Sequence, residues 1–265
     1  MLKDPGNHIG DTWYYIEENV CHCFYLTCPD TQPRHQCWDI AHATSMDLIH
    51  WTKHGVVVQK GEAGEWDCSC LSTGSVLRFD NRYWLAYSGK WDGEIVQIGL
   101  AVSDDLYTWK KCDWNPVCKP DGELYAKRGR GVRTFCHWRD PFLFADGGKV
   151  YMITCATHPD APADGCGTVG ICCTEDMQHW RLLPPIEIDP IAQELECPQI
   201  LQIEDRYVLL FSCYEKLFCH QLQQKYGAAL RQTSYYMTSQ NRWGPYQFEE
   251  QLQLLPKYET DRERS

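Results

Sequence analysis

One phrase recurs along this 265-residue chain: small residues, a Ser or Thr, an acidic residue, a short loop, then Trp. AHATSMDLIHW ends at Trp51, GLAVSDDLYTW at Trp109 and GICCTEDMQHW at Trp180, and a weaker copy, RQTSYYMTSQNRW, ends at Trp243. Self-similarity at intervals of about 60 residues constrains a fold strongly, because each unit must bury a face against the next one. Each copy follows a stretch rich in β-branched and aromatic residues: NVCHCFYLT, SVLRFDNRYWLAYSG, PFLFADGGKVYMITCA and QILQIEDRYVLLFSCY. Two of these contain hairpin signals, at Asp80-Asn81 and Asp146-Gly147-Gly148. No long stretch sustains a helical period, and a short helix-like piece, Phe218 to Lys225, reads as an insertion. The expectation is an all-β, β-propeller chain forming one domain over 1–265. Its blade-like units run roughly over 11–60, 66–125, 137–190 and 196–250. The repeated phrase argues for architecture rather than chemistry: its Ser and Asp can cap a tight turn, and its Trp can wedge between blades.

Charge narrows the partners. The formal net charge is −11, and a surface of that sign repels phosphate backbones and anionic lipids. Nucleic acid and membrane surfaces are therefore excluded as expected partners, and a small neutral saccharide fits better. Aromatics reach 13%, which suits both strands and the flat faces of sugar sites. The opening MLKDPGNHIGDTW has no apolar core of the signal-peptide kind, and no run approaches a membrane span, so a cytoplasmic protein is expected. The 16 Cys then read as reduced core and surface thiols. The close pairs Cys21/Cys23, Cys68/Cys70 and Cys172/Cys173 lack the two-residue gap of a zinc grip, so neither metal nor cofactor is expected.

Residues at the starts of innermost propeller strands converge on one funnel, and three acids hold such positions. Asp11 stands in Gly10-Asp11-Thr12-Trp13, Asp140 in Trp138-Arg139-Asp140-Pro141, and Glu196 in Glu194-Leu195-Glu196-Cys197-Pro198. Each has a plainer explanation. Asp11 could make a turn, Asp140 is confined by Pro141 to extended backbone and could pair with Arg139, and Glu194 and Glu196 could be solvated strand-entry residues. Three acids sharing the blade-entry position outweigh those readings. Glycoside hydrolysis needs a pair of carboxyl groups flanking the bond, with a third able to hold sugar hydroxyls.

These motifs resemble those of glycoside hydrolase family 32, the five-bladed enzymes that cleave fructans and sucrose. The chain has His22-Cys23-Phe24-Tyr25, then Trp38 followed by His42-Ala43-Thr44-Ser45-Met46-Asp47-Leu48-Ile49-His50-Trp51. Further on it has Thr73-Gly74-Ser75, Arg139-Asp140-Pro141 and Glu196-Cys197-Pro198, in the family's order over nearly the whole chain. The resemblance implies Asp11 as nucleophile, Asp140 as transition-state stabiliser and Glu196 as acid/base. It also implies Arg139 and Ser75 as sugar contacts, and Trp38, Trp66 and Trp138 as pocket walls. Asp4-Pro5 looks superficially like the family's Asp-Pro, but it lies too far before His22, whereas Asp11 has the right spacing. The chain departs from the pattern in lacking Pro-Asn-Gly after the nucleophile and in carrying Leu26 after Phe24-Tyr25. After Tyr246 only a polar stretch to Ser265 is legible, with neither a fifth blade nor the usual β-sandwich. An open ring would expose apolar faces, which makes a homo-oligomer conceivable.

The mechanism expected is retaining hydrolysis, with Asp11 attacking the anomeric carbon while Glu196 protonates the leaving oxygen and then activates water. Carboxyl groups about 5–5.5 Å apart would serve that route. The rivals are an inverting arabinofuranosidase or xylosidase of the family 43 type and a non-catalytic carbohydrate-binding propeller. Loss of turnover in Glu196→Gln separates catalysis from binding.

Overall fold

The computed structural model describes residues 2–33, 37–91 and 95–253. Residues 254–265, most of the polar stretch expected after Tyr246, lie outside the described residues. The chain folds into four antiparallel four-stranded sheets, each built from strands in sequence order. Blade 1 comprises β1 (Asn7–Glu17), β2 (Val20–Pro29), β3 (Asp39–Ser45) and β4 (Thr52–Val58). Blade 2 comprises β5 (Cys70–Phe79), β6 (Arg82–Trp91), β7 (Ile95–Ser103) and β8 (Lys110–Lys111). Blade 3 comprises β9 (Arg139–Asp146), β10 (Lys149–Thr157), β11 (Gly167–Thr174) and β12 (Arg181–Leu183). Blade 4 comprises β13 (Glu196–Ile203), β14 (Arg206–Cys213), β15 (Thr233–Ser239) and β16 (Gln247–Gln253). The first strand of each blade is innermost: β1 packs beside β5, β5 beside β9, and β9 beside β13. This is a β-propeller arrangement.

The first two strands of each blade are joined by two-residue turns. Glu18-Asn19, Asp80-Asn81 and Gly147-Gly148 all take positive φ, as the right-handed strand twist requires of the tightest hairpins. Helix α1 (His220–Tyr226) is an insertion between β14 and β15; none of its side chains is fully buried, and Leu222 and Tyr226 pack at the edge of the blade 3–4 cluster.

The repeated phrase is the connector into the outermost strand. Ser45 Oγ accepts the N–H groups of Asp47 and Leu48, and Asp47 Oδ1 accepts those of Ile49 and His50. Trp51 Nε1 then donates to the Leu48 carbonyl. The same bonds recur at Ser103, Asp105 and Trp109. At Thr174, Asp176 and Trp180 the acid and the Trp repeat theirs, and Thr174 Oγ1 accepts the Asp176 N–H. At each turn the residue after the acid is left-handed (Leu48 φ 62°, Leu106 φ 68°, Met177 φ 62°). The two side chains satisfy the donors that this reversal takes away from the sheet. The Trp packs onto the preceding blade: Trp109 meets Phe24 edge-on, and Trp243 stacks near Phe144 and Tyr151.

Burial follows the blades. Phe24, Ile40, Leu71 and Tyr87 belong to a cluster joining blades 1 and 2. Ile98, Met152 and Val150 join blades 2 and 3, and Ile171, Leu209 and Tyr235 join blades 3 and 4. Among the described residues no such cluster joins blade 4 to blade 1. There Tyr14 is 57% and Ile16 70% exposed.

Fourteen cysteines are free and twelve of those are buried, as expected of core thiols. Cys118 and Cys172 depart from that expectation, because they form a disulfide. Their positions, 54 residues apart, give no pairing signal in the sequence. Packing of the long connector between β8 and β9 against β11 brings them together. Among the described residues no helix is long and apolar enough to cross a membrane.

Candidate active site

All four innermost strands break register at one end of the blades. The breaks fall between Ile9 and Thr12 in β1, Ser72 and Gly74 in β5, Arg139 and Phe142 in β9, and Glu196 and Gln199 in β13. A bulge frees residues from the ladder and turns their side chains out of the pleat. Here it releases Asp11, Thr73, Asp140 and Cys197, and all four line one open cavity of about 480 Å³ on the propeller axis. Gly74 is required beside Thr73 because a Cβ there would run into the Ala86 carbonyl.

Asp140 and Cys197 both precede proline, which predicts extended backbone. Instead Asp140 has φ 59° and Cys197 φ 50°, left-handed values that a non-glycine residue holds only where its surroundings enforce them. The enforcing contacts are visible. The Asp140 N–H donates to Ser88 Oγ at 2.9 Å, and the Cys197 N–H donates to Asp140 Oδ2 at 3.1 Å. Strain is thus concentrated where two carboxyl-bearing strands face each other.

Asp11 is solvent-exposed within the cavity, and its Oδ2 accepts the Thr73 hydroxyl at 2.6 Å. Asp140 is buried at 6% exposure. Burial pushes its carboxyl up, against the Arg139 guanidinium and the Cys197 N–H, which pull it down. Glu196 lines the same cavity, and its Oε1 accepts Arg139 Nη2 at 2.6 Å. Burial raises the Glu196 carboxyl; Arg139 opposes the shift, while Glu194 and Asp140 reinforce it.

Behind Glu196 lies Glu194, fully buried. Its Oε2 accepts Arg139 Nη2 at 2.7 Å and Arg133 Nη1 at 3.1 Å. Burial would raise this carboxyl, but Arg139, His137 and Arg133 outweigh it and hold the group below its ordinary value. The two guanidinium groups are braced by rings: Arg133 lies over Tyr214 at 5.1 Å and Arg139 over Phe135 at 5.5 Å. Among the described residues no group of three His, Cys, Asp or Glu side chains is placed to hold a metal ion.

The sequence profile of the Glycosyl hydrolases family 32 N-terminal domain matches residues 9–258. The chain belongs to glycoside hydrolase family 32. Similar curated proteins include a sucrose-6-phosphate hydrolase of Lactococcus lactis subsp. lactis, 25% identical over 220 residues, covering 80% of this chain and 41% of that protein. A second, from Zymomonas mobilis, is 26% identical over 224 residues, covering 80% of this chain and 40% of the relative. The family 32 chain thus spans about two-fifths of the length of these relatives. Among solved structures, an inulosucrase from Halalkalicoccus jeotgali bound to kestose superposes with TM-score 0.73 at 22% identity, over 92% of this chain and 68% of that one. A levansucrase from Gluconacetobacter diazotrophicus superposes with TM-score 0.71 at 17% identity, over 92% and 65%. Those likenesses show the fold.

In this family 32 propeller, Asp11, Asp140, Glu196, Arg139 and Trp38 all line the axial cavity. Three other expected sugar contacts do not. Ser75 is buried, with its hydroxyl accepting the Leu143 N–H, because it falls beyond the bulge where β5 resumes its ladder. Trp66 stacks on Tyr87 and presses on Gly89 and Gly99. Trp138 is 1% exposed, donates to the Cys118 carbonyl and packs on Tyr125. Asp4 sits elsewhere too, accepting Lys53 at 2.7 Å near the outer edge of blade 1. Glu194, for which a solvated strand-entry position is the plainer alternative from sequence, is instead an internal counter-ion. Arg133 and Lys90 line the cavity unannounced by any pattern of their own, and so does Thr73, which lies in the Thr73-Gly74-Ser75 motif but is not the residue the resemblance marks as a sugar contact. The bulge that turns Thr73 inward could have been suspected from Gly74, since an isolated glycine in a strand often marks one.

Proposed function

We propose that the chain carries the catalytic propeller of a retaining glycosidase acting on a β-fructofuranoside. The observation that carries this reading is the convergence of Asp11, Asp140 and Glu196, from three different innermost strands, on one cavity. Asp11, exposed and held by Thr73, attacks the anomeric carbon. Glu196, whose carboxyl burial raises, protonates the leaving oxygen and afterwards takes a proton from the attacking water. Asp140 holds sugar hydroxyls beside the oxocarbenium-like centre. The exposed Asp11 and the buried Glu196 thus sit in the contrasting surroundings that a nucleophile and an acid call for.

Substrate identity is argued from the cavity and the relatives' names. Trp38 offers a flat wall, and Arg139 is placed to act through Glu196 and Asp140. Lys90 lines the same cavity, a cation suited to a phosphorylated sugar, whereas Arg133 is engaged by Glu194 and Glu196. This matters because curated relatives are named sucrose-6-phosphate hydrolases. The test is release of reducing sugar from sucrose, sucrose 6-phosphate, a short fructan and an α-arabinofuranoside, with Asp11→Asn and Glu196→Gln as controls. Turnover of a fructoside, lost in both variants, supports the proposal. Preference for the arabinofuranoside would favour the inverting rival. Folded wild-type protein that cleaves nothing would leave a carbohydrate-binding propeller as the better account.

A further inference from the structure

Two glutamates two positions apart reach the same guanidinium. Arg139 Nη2 stands 2.7 Å from Glu194 Oε2 and 2.6 Å from Glu196 Oε1. Arg133 Nη1 repeats the arrangement more loosely, at 3.1 Å from Glu194 and 3.6 Å from Glu196. Glu194 has no exposed side-chain surface and lines no part of the cavity, so it cannot touch a sugar. A carboxylate in such a place costs several kcal/mol to desolvate, and it persists only because two cations answer it. The cost is out of proportion to any packing role for one residue.

Its effect on Glu196 follows from charge sharing. If Glu194 were neutral, both guanidinium groups would act on Glu196 alone and favour its ionised form. With Glu194 ionised, one of the two positive charges is answered, and Glu196 meets a net charge of one instead of two, which favours its ionised form less. The other groups around Glu196 do not undo this. The thiols of Cys155, Cys197 and Cys213 are pushed up by burial and stay neutral. His137, 3.6 Å from Glu194 Oε1, is pushed down by burial to about 4 and is neutral at pH 7. Asp140 adds negative charge and works in the same direction as Glu194.

We propose that Glu194 is a positioning residue that keeps Glu196 protonated for its acid step, by drawing the charge of Arg139 and Arg133 away from it. This rests on the reading of Glu196 as acid/base. Glu194→Gln keeps the shape and one acceptor oxygen but removes the charge. The basic limb of the kcat–pH profile, which reports loss of the acid form, is then expected to move to lower pH by on the order of one unit, with activity recovering as the solution is acidified. Arg133→Gln removes a cation instead, and the same limb is expected to move up. Opposite shifts from two neighbouring variants are not the signature of a general structural lesion, which lowers rate at all pH values without moving the limb.

The experiment is a pair of pH–rate profiles for these variants and the wild type, with a 13C NMR titration of the glutamate carboxyls, Glu196 being assigned through Glu196→Gln. A downward shift in Glu194→Gln and an upward one in Arg133→Gln establishes the coupling. An unmoved limb, or shifts of the same sign in both, overturns it even where hydrolysis stands. If the wild-type chain hydrolyses nothing, the NMR titration still decides, because the Glu196 carboxyl must titrate lower in Glu194→Gln than in wild type for the coupling to exist.

Discussion

Thr73 donates its hydroxyl to Asp11 Oδ2 at 2.6 Å, a short bond to a carboxylate that is otherwise open to the cavity. Such charge-assisted bonds are worth roughly 1.5–3 kcal/mol, and in the proposed mechanism this one leaves the other oxygen to attack the anomeric carbon. Thr73→Val keeps the β-branched shape and is expected to lower kcat by roughly 10–100-fold while leaving the thermal midpoint within a few degrees, as measured by sucrose turnover and calorimetry. Thr73→Ser should restore most of the rate, and equal losses in both variants would deny the hydroxyl this role. Asp140 permits a cleaner separation of backbone from charge. At φ 59° asparagine is among the few replacements that tolerate the conformation, so Asp140→Asn should fold normally. A kcat loss on the order of 10²–10³-fold, with binding of substrate retained, would then belong to the lost charge. A normal rate in Asp140→Asn would remove Asp140 from the proposed mechanism.

At the scale of elements, the turn into the outermost strand was the most legible feature, because Ser, Asp and Trp there act within a few residues of one another. Asp105→Ala, in the copy between β7 and β8 whose Leu106 and Trp109 pack towards blade 1, strips the acceptor from the N–H groups of Tyr107 and Thr108. It should cost about 1–2 kcal/mol in urea unfolding, the price of a lost cap. The hairpins at Asp80-Asn81 and Gly147-Gly148 were legible for the same local reason. Glu18-Asn19 carries a weaker signal, since Glu is a poor turn residue. The strand bulges leave little trace beyond Gly74, because they are imposed by neighbouring blades, and this is why the resemblance points to Ser75 although the bulge turns Thr73 into the cavity. Burial of Glu194 was equally invisible: only tertiary packing brings Arg133 and Arg139 to it. Another such cluster lies in blade 1, where His22 Nδ1 and His42 Nε2 are 3.0 Å apart, and His54 and Tyr107 close the stack. Burial, with His22 and His54 adding, lowers His42 from an ordinary 6.5 to about 3. The folded state therefore resists a proton that the unfolded chain accepts. His42 contributes no penalty above pH 6.5, and stability is expected to fall by about 1.4 kcal/mol per pH unit as pH drops from there towards 3. His42→Gln should flatten that part of the stability–pH curve, and curves of equal slope would show that the stack does not titrate in this window.

At the scale of the whole molecule, three seams between blades are filled and, among the described residues, the fourth place is not. Leu209 and Phe211 of blade 4 are 0% and 1% exposed where they meet blade 3, whereas Leu201 and Ile203 of the same blade are 37% and 54% exposed. Blade 1 has the same asymmetry, with Phe24 fully buried towards blade 2 and Tyr14 and Ile16 open. Trp51, whose counterparts Trp109 and Trp243 pack on a preceding blade, packs instead on Tyr14 of its own. Apolar side chains left in water contribute almost nothing to stability, while those in a filled seam carry transfer and cavity terms together. For the chain alone, Ile16→Ser is therefore expected to shift the unfolding free energy by no more than about 0.5 kcal/mol, against about 2–5 kcal/mol for Leu209→Ala. Urea midpoints at several protein concentrations distinguish the possibilities. A cost above about 2 kcal/mol for Ile16→Ser would mean that something covers this face in solution. If that cost grew with protein concentration the cover would be a second copy of the chain, since only association makes stability depend on concentration.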